Sequence, residues 1–356
     1  MGGIEQTIDQ LARGTSSLGI DTSVLSLTSD DDTSTLEIDG YSSCRAKQDF
    51  QIASTGLSLS VIKKFSEIAR QADVIHYHFP WPFMDLVHFL VRANKPSVVT
   101  YHSDIIRQKK ILMLYQPLMN KFLASVDCIV ATSPNYLKTS EVLRKFSDKV
   151  KVIPIGLCKE SYPLVNLERE QHWLSVVGDK FFLFVGVLRY YKGLHILLDA
   201  ARDTNYPIVI VGAGTIESKL KAQAITLGLK NIYFLGLLPE IDKVTLFKLC
   251  YGVILPSHLR SEAFGISLLE GAMYGKPMIS CEIGTGTTFI NIADETGLVV
   301  PPNDPEALRR AMRHLWNNPE LAEKMGKSAE IRYWKHFTAD QMVDSYVDLY
   351  KEIALK

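Results

Sequence analysis

Two glutamates eight positions apart frame a glycine in Ser261-Glu262-Ala263-Phe264-Gly265-Ile266-Ser267-Leu268-Leu269-Glu270-Gly271. The run 252–255 before it reads as a strand, so the segment is a strand-end loop turning into a helix. At such a turn Gly265 lets the backbone come close to a ligand. The N–H groups of Phe264, Gly265 and Ile266 have no helical acceptor there. Donors and helix dipole both favour an anion, and a diphosphate suits the place. Glu262 then lies in the loop beside a reacting group. Glu270, further into the helix, is placed for the hydroxyls of a diol such as ribose. Ordinary surface glutamates would leave the small, apolar residues between them unexplained.

A second cluster, Gly186-Val187-Leu188-Arg189-Tyr190-Tyr191-Lys192-Gly193, follows another strand-like run. Two cations three positions apart in one strand-to-helix loop suit a departing diphosphate, which gathers negative charge as its bond breaks. Arginine grips phosphate oxygens in a fork and lysine acts as a point charge. The third candidate is His102, in Tyr101-His102-Ser103-Asp104 at a strand end. His76 and His78 alternate on a neighbouring strand. His78 precedes Phe79-Pro80-Trp81-Pro82-Phe83 and is placed for an acceptor pocket with Trp81 and Asp104, whereas His76 reads as structural.

The elements that must hold these residues alternate regularly. Runs at 73–78, 97–101, 127–131 and 151–154 read as buried strands, with helical stretches at 57–71 and 105–125. The pattern restarts with strands at 181–185, 207–211, 231–234, 252–255 and 277–280. Short Val/Ile-rich strands separated by helices indicate parallel sheets covered on both faces. The chain is thus α/β, with two Rossmann-like, doubly wound domains. We place them at 1–160 and 175–338, joined by a charged, irregular stretch near 158–178, with a terminal helix in 339–356. Ligands of such sheets sit beyond the carboxyl ends of the strands, so a cleft between the domains is the expected site. The start is unusual: Gly2-Gly3 leads straight into an amphipathic helix, with no strand to aim it. The first strand of the N-terminal sheet is therefore expected to be missing from this sequence.

Composition removes several alternatives. Lysine plus arginine equals aspartate plus glutamate, at 39 each, so no global field favours nucleic acid. The five cysteines include no CxxC pair, which fits reduced thiols in the cytoplasm. No stretch reaches the length of a membrane span. Asp30-Asp31-Asp32 lies in a polar loop and is not read as a metal site. Gly212-Ala213-Gly214 lacks the third glycine of a dinucleotide site and reads as a tight turn. The helical stretch 107–123 sets Lys109, Lys110 and Lys121 beside Ile111, Leu112, Met113, Leu114 and Leu118, a pattern suited either to anionic lipid or to a core helix with solvated lysines.

The segment 261–271 resembles the E-x7-E signature of retaining glycosyltransferases of family 4, with the two-domain GT-B fold. Gly2-Gly3-Ile4-Glu5, Tyr101-His102-Ser103-Asp104 and Gly297-Leu298-Val299-Val300-Pro301-Pro302 with Asp304-Pro305 extend the resemblance along nearly the whole chain. The resemblance implies a metal-independent hexosyl transfer with no cofactor. It assigns His102, Glu262, Arg189 and Lys192 to catalysis, and Gly2, Gly3, Phe264, Gly265, Ile266, Glu270 and Leu237 to the donor. It also implies that the terminal helix crosses back to the first domain. One departure stands out, since the family's arginine directly follows the glycine and Val187 occupies that place here; Arg189 is taken to replace it. The wording of 79–83 and 189–193 resembles bacterial polysaccharide and O-antigen enzymes, mannosyltransferases among them. The implied donor is GDP-mannose and the implied acceptor a saccharide or lipid-linked oligosaccharide. The expected location is the cytoplasm, with peripheral contact at the inner membrane. Rival readings are a nucleotide-sugar epimerase of the same fold and a non-catalytic sugar-nucleotide binding subunit.

Overall fold

A computed structural model of the chain describes residues 3–31, 33–52, 55–105 and 109–355. It divides into two compact units, 1–156 with 339–356, and 157–338.

The first unit opens with helix α1 (Gly3–Ser17), then β1 (Ser23–Thr28), β2 (Thr35–Ile38) and β3 (Tyr41–Lys47). β1 pairs parallel with β3, and β2 pairs antiparallel with it. A short antiparallel pair follows, β4 (Phe50–Ile52) and β5 (Thr55–Leu57), and then α2 (Leu59–Gln71). Next come β6 (Ile75–Phe79), α3 (Pro82–Val91), β7 (Ser97–Tyr101), α4 (Lys109–Ser125) and β8 (Cys128–Ala131), with short helices α5 (Pro134–Thr139) and α6 (Glu141–Arg144) before β9 (Val150–Val152). These four strands form a parallel sheet in the order β6-β7-β8-β9. β7 and β8 are buried along their whole length, as strands covered on both faces must be. The hairpin of β2 and β3 escapes a hydrophobic reading because β2 is largely exposed and β3 carries serines and charges.

The second unit begins with α7 (Leu167–Val177) and β10 (Phe182–Val185), followed by α8 (Leu194–Ala201), β11 (Ile208–Val211), α9 (Glu217–Thr226) and β12 (Ile232–Gly236). It continues with α10 (Glu240–Leu249), β13 (Gly252–Leu255), α11 (Ile266–Met273), β14 (Met278–Cys281), α12 (Thr287–Ile290) and β15 (Gly297–Val300), and ends in α13 (Pro305–Asn317) and α14 (Pro319–His336). All six strands are parallel, in the order β12-β11-β10-β13-β14-β15. The stretch 158–178 is not irregular throughout: α7 is capped by Asn166, and its Trp173 is buried and donates to Asp242 at 3.0 Å. Charged residues on its exposed face hide the helix from a hydrophobic reading.

The terminal helix α15 (Ala339–Ala354) returns to the first unit and packs on α1. Among the described residues, no helix is long and apolar enough to cross a membrane.

Within the first unit α3 carries Asp85, only 3 % exposed, which accepts a hydrogen bond from the Tyr115 hydroxyl. Burial pushes this carboxyl up to about 7, against the pull of the Tyr115 hydrogen bond. A group held protonated in the fold contributes stability below its unfolded pKa, and that contribution is lost as pH rises through the folded value. The advantage of Asp85→Asn over the unaltered chain is therefore expected to grow by on the order of 2–4 kcal/mol between pH 4 and pH 8. Urea midpoints measured across that range check it; a flat difference would rule out the buried, protonated carboxyl.

Candidate active site

In the second unit the winding of the chain reverses between β10 and β13, which lie side by side in the middle of the sheet. Open parallel sheets bind ligands beyond the carboxyl ends of the strands at such a switch point. The loops leaving these two strands are the cation loop 186–193 and the first part of the glutamate segment. A close backbone approach joins them. Gly193 has φ 72°, and a Cβ there would meet the Pro256 carbonyl oxygen at 2.0 Å. The His258 amide donates to the Tyr191 carbonyl at 3.0 Å. Any side chain at 193 would push the loops apart.

The approach brings Lys192 Nζ into an ion pair with Glu262 Oε2, both side chains largely buried. The Ser257 hydroxyl donates to the same oxygen at 3.2 Å. Burial opposes the charge on Lys192, but the attraction of Glu262 outweighs it and holds the ammonium pKa above its usual range. A fixed positive group therefore stands at the carboxyl end of the sheet. Arg189 is exposed at the start of the same loop.

The Glu262 loop ends at Gly265, whose φ of 97° and ψ of 57° place it in the left-handed region at the N-cap of α11. Among the described residues, the amides of Gly265, Ile266 and Ser267 have no protein acceptor. Together with the helix dipole they leave an end of the helix that can receive an anion. Phe264 is only 4 % exposed, and its ring packs against Phe337 with centroids 6.3 Å apart. The loop is backed by the turn after β14, where the Gly286 amide donates to the Ala263 carbonyl at 2.8 Å and Arg260 donates to the Gly284 carbonyl at 2.9 Å.

Glu270 lies on α11 and is 3 % exposed. Its Oε1 is held by Lys243 of α10 at 2.9 Å and by the Tyr162 hydroxyl at 3.3 Å. Lys243 is shared with Glu240 at 2.8 Å. Burial raises the Glu270 carboxyl above its usual range although Lys243 draws it down. Leu237, in the loop after β12, is 80 % exposed. Lys243, Tyr162, Ser257 and the 284–287 turn were not among the residues singled out from the sequence. No local spacing links Lys243, Tyr162 or the turn to the glutamates, and only the fold brings them there; Ser257 stands five positions before Glu262 at the strand end.

The first unit places its candidates at the ends of β6 and β7. His102 follows β7, and its amide donates to the Phe79 carbonyl at 3.0 Å. The imidazoles of His78 and His102 meet through Nδ1 and Nε2, respectively, at 2.9 Å, with rings stacked at 5.2 Å. His76 is fixed by the Tyr350 hydroxyl at 2.6 Å and by Thr100 at 2.7 Å, and Thr100 in turn meets the Tyr346 hydroxyl at 2.6 Å. Burial lowers all three histidines, His102 to about 4 and His76 to about 3. Trp81 spends its indole N–H on the Gly56 carbonyl at 3.0 Å. Asp104 accepts from Tyr101 at 3.0 Å and from Ser140 at 2.6 Å, which makes it part of the strand-end scaffold. Gly3 is the first residue of α1, and Gly2 lies outside the described residues.

Two Rossmann-like parallel sheets in one chain, with a terminal helix returning to the first, are the GT-B architecture. Residues 1–160 match Glycosyltransferase Family 4 and residues 165–332 match Glycosyl transferases group 1. The chain is 61% identical over 339 residues to the D-rhamnosyltransferase WbpZ of Pseudomonas aeruginosa, covering 95% of this chain and 89% of that protein. It is 52% identical over 350 residues to the O-antigen chain mannosyltransferase C of Escherichia coli, covering 98% and 94%. Among solved structures, sucrose-phosphate synthase from Thermosynechococcus elongatus shares the fold with a TM-score of 0.81 at 20% identity, over 99% of this chain and 93% of that one. The chain belongs to the family 4 glycosyltransferases of GT-B fold.

Proposed function

We propose that the enzyme transfers mannose, or its 6-deoxy relative D-rhamnose, from a GDP-linked donor to a saccharide or lipid-linked oligosaccharide in cell-surface polysaccharide synthesis, with retention of anomeric configuration. The observation that carries this reading is the Lys192–Glu262 pair at the switch point of the second sheet. Lys192, Arg189 and the amides at Gly265 receive the diphosphate, and Glu270 takes the ribose hydroxyls. Glu262 and His102 act at the sugar. The bond from the anomeric carbon to the phosphate oxygen breaks, the acceptor oxygen bonds to the same face, and the leaving phosphate takes the acceptor proton. Glu262 is engaged by Lys192 and Ser257, which suits a charge-balancing carboxylate better than a nucleophile. The two curated relatives support the sugar class, one named for D-rhamnose and one for mannose.

A thermal-shift panel of nucleotide sugars tests the donor, since a ligand that binds only the folded form raises Tm. GDP-mannose or GDP-D-rhamnose is expected to give the largest shift; a larger shift with a UDP-sugar would defeat the assignment. Proton NMR of the product tests retention, and an inverted anomeric centre would overturn it.

The charge arrangement also supports transfer without a metal, because lysine, arginine and helix dipole supply the positive field. Activity is expected to persist in excess EDTA within about twofold, the span of an ordinary ionic-strength effect on charged ligands. Loss in EDTA with recovery in magnesium or manganese would show a metal at the diphosphate. Peripheral membrane contact is supported by α4, where Met113 and Leu114 are 72% and 84% exposed. Co-sedimentation with anionic vesicles tests that contact.

A further inference from the structure

We propose that His78 is a positioning residue, which holds His102 in the tautomer with its proton on Nδ1. The proposal rests on the role of His102 in sugar transfer stated above, and it replaces an acceptor contact as the function of His78.

On β6 and β7, His78 stands opposite Thr100 and Phe79 opposite Tyr101, so His102 follows one step beyond the paired residues. The amide of His102 is tied to the Phe79 carbonyl at 3.0 Å, which fixes the backbone from which its ring projects. The ring then meets His78 through a single nitrogen pair, Nδ1 of His78 and Nε2 of His102, at 2.9 Å. Two imidazoles joined in this way share one proton between those nitrogens. Burial keeps both rings neutral, with one N–H each. If His78 donates, His102 carries its own proton on Nδ1; if His102 donates, its Nδ1 is a bare lone pair. The two rings can only change tautomer together.

The chemistry of the site chooses between these states. A neutral histidine stabilises a phosphate or ring oxygen only by donating to it. Among the described residues, His102 Nδ1 and His78 Nε2 have no hydrogen-bond partner, so Nδ1 is the position from which His102 can donate. Free histidine side chains favour the proton on Nε2. Holding it on Nδ1 therefore requires a donor facing Nε2, which His78 provides when its own proton sits on Nδ1 and its Nε2 is the bare lone pair. His76 keeps the arrangement in place: its ring lies 4.4 Å from that of His78, and both its nitrogens are bound, one to Tyr350 and one to Thr100. The scaffold behind the pair thus comes from β7 and from the terminal helix α15. The tautomer of a catalytic histidine is set by the hydrogen bond its other ring nitrogen makes, and here that partner is the His78 ring.

The test compares the unaltered chain with His78→Asn and His78→Phe. Asparagine can place an amide N–H near the position of the histidine Nδ1; phenylalanine fills the space without a donor. In the free, histidine-labelled proteins, long-range proton–nitrogen correlation spectra at pH 7.5 report each ring's tautomer. His102 is expected to be protonated at Nδ1 in the unaltered chain and in His78→Asn, and at Nε2 in His78→Phe. With whichever of GDP-mannose and GDP-D-rhamnose the unaltered enzyme turns over, kcat of His78→Phe is expected to fall roughly 10–100-fold with donor KM little changed. His78→Asn is expected to restore most of that loss. Protonation of His102 on Nε2 in the unaltered chain, or the same tautomer in all three proteins, would overturn the proposal. So would a rise in acceptor KM at constant kcat, which would make His78 an acceptor contact. If the unaltered chain transfers from neither donor, the donor assignment fails, while the spectra of the free proteins still decide the tautomer.

Discussion

Lys192→Ala is expected to lower kcat on the order of 10²–10³-fold, the usual cost of losing one preorganised charge at a leaving group. The size follows from where the ammonium sits. Its side chain is largely buried, and Glu262 and the turn at Gly193 hold it in one place. A charge fixed in a water-poor pocket meets the departing diphosphate without reorganisation, and it is worth more there than in open solvent. Since the charge of the diphosphate grows as the bond breaks, kcat is expected to fall more than donor KM rises. Arg189 provides the internal comparison. It stands in the same loop but is exposed, so Arg189→Ala is expected to cost less, on the order of tenfold. Equal losses would mean that Arg189 closes onto the donor as fully as Lys192 does, and that its displacement from the position of Val187 has no consequence. A near-neutral Lys192→Ala with intact folding by circular dichroism would remove the ammonium from the mechanism.

The parts legible in the sequence are those where chemistry and local geometry coincide within a dozen residues. A buried β13, a loop with Glu262, a left-handed Gly265 and a helix with Glu270 follow one another along the chain, and each leaves its mark in residue type. The same holds for β10 and the loop ending at Gly193. Strands buried on both faces, such as β7, β8 and β11, read directly because every position is apolar or small. β1 and β2 do not, because they are partly or largely exposed and their serines and threonines break any apolar run. The partners of the functional groups were hidden for another reason. Tyr162, Lys243 and Glu270 come from three separate stretches, and His76 is fixed by Tyr350 of α15 directly and by Tyr346 through Thr100. A hydrogen bond between residues tens to hundreds of positions apart has no sequence period. Asp104, which its place after a strand-end histidine puts beside an acceptor pocket, accepts two hydroxyls on Oδ1 that no local spacing announces.

Lys243→Met is expected to destabilise the second unit by about 3–5 kcal/mol near pH 8, the cost of leaving one partner of a buried ion pair alone. Glu270 is almost fully buried, and Lys243 is its one cationic partner among the described residues. Without the ammonium, only the Tyr162 hydroxyl remains to stabilise the carboxylate. The carboxyl, already raised by burial, then rises further because the attraction that drew it down is gone. A carboxyl with a raised folded pKa contributes stability below its unfolded pKa, and this is lost as pH rises through the folded value. The deficit of Lys243→Met is accordingly expected to be small near pH 4 and to grow towards pH 8. Glu270→Gln in the same chain removes the stranded charge, so the double variant is expected to recover most of the loss in urea unfolding. It is not expected to recover donor affinity, because the carboxylate proposed for the ribose hydroxyls is absent. Stability and donor KM should thus separate: Lys243→Met impairs both, the double variant only the second. A double variant as unstable as Lys243→Met would show that the other contacts of the ammonium, over the Tyr162 ring at 5.7 Å and with Glu240, matter more than the stranded carboxylate. A double variant with unaltered donor KM would remove Glu270 from the donor site.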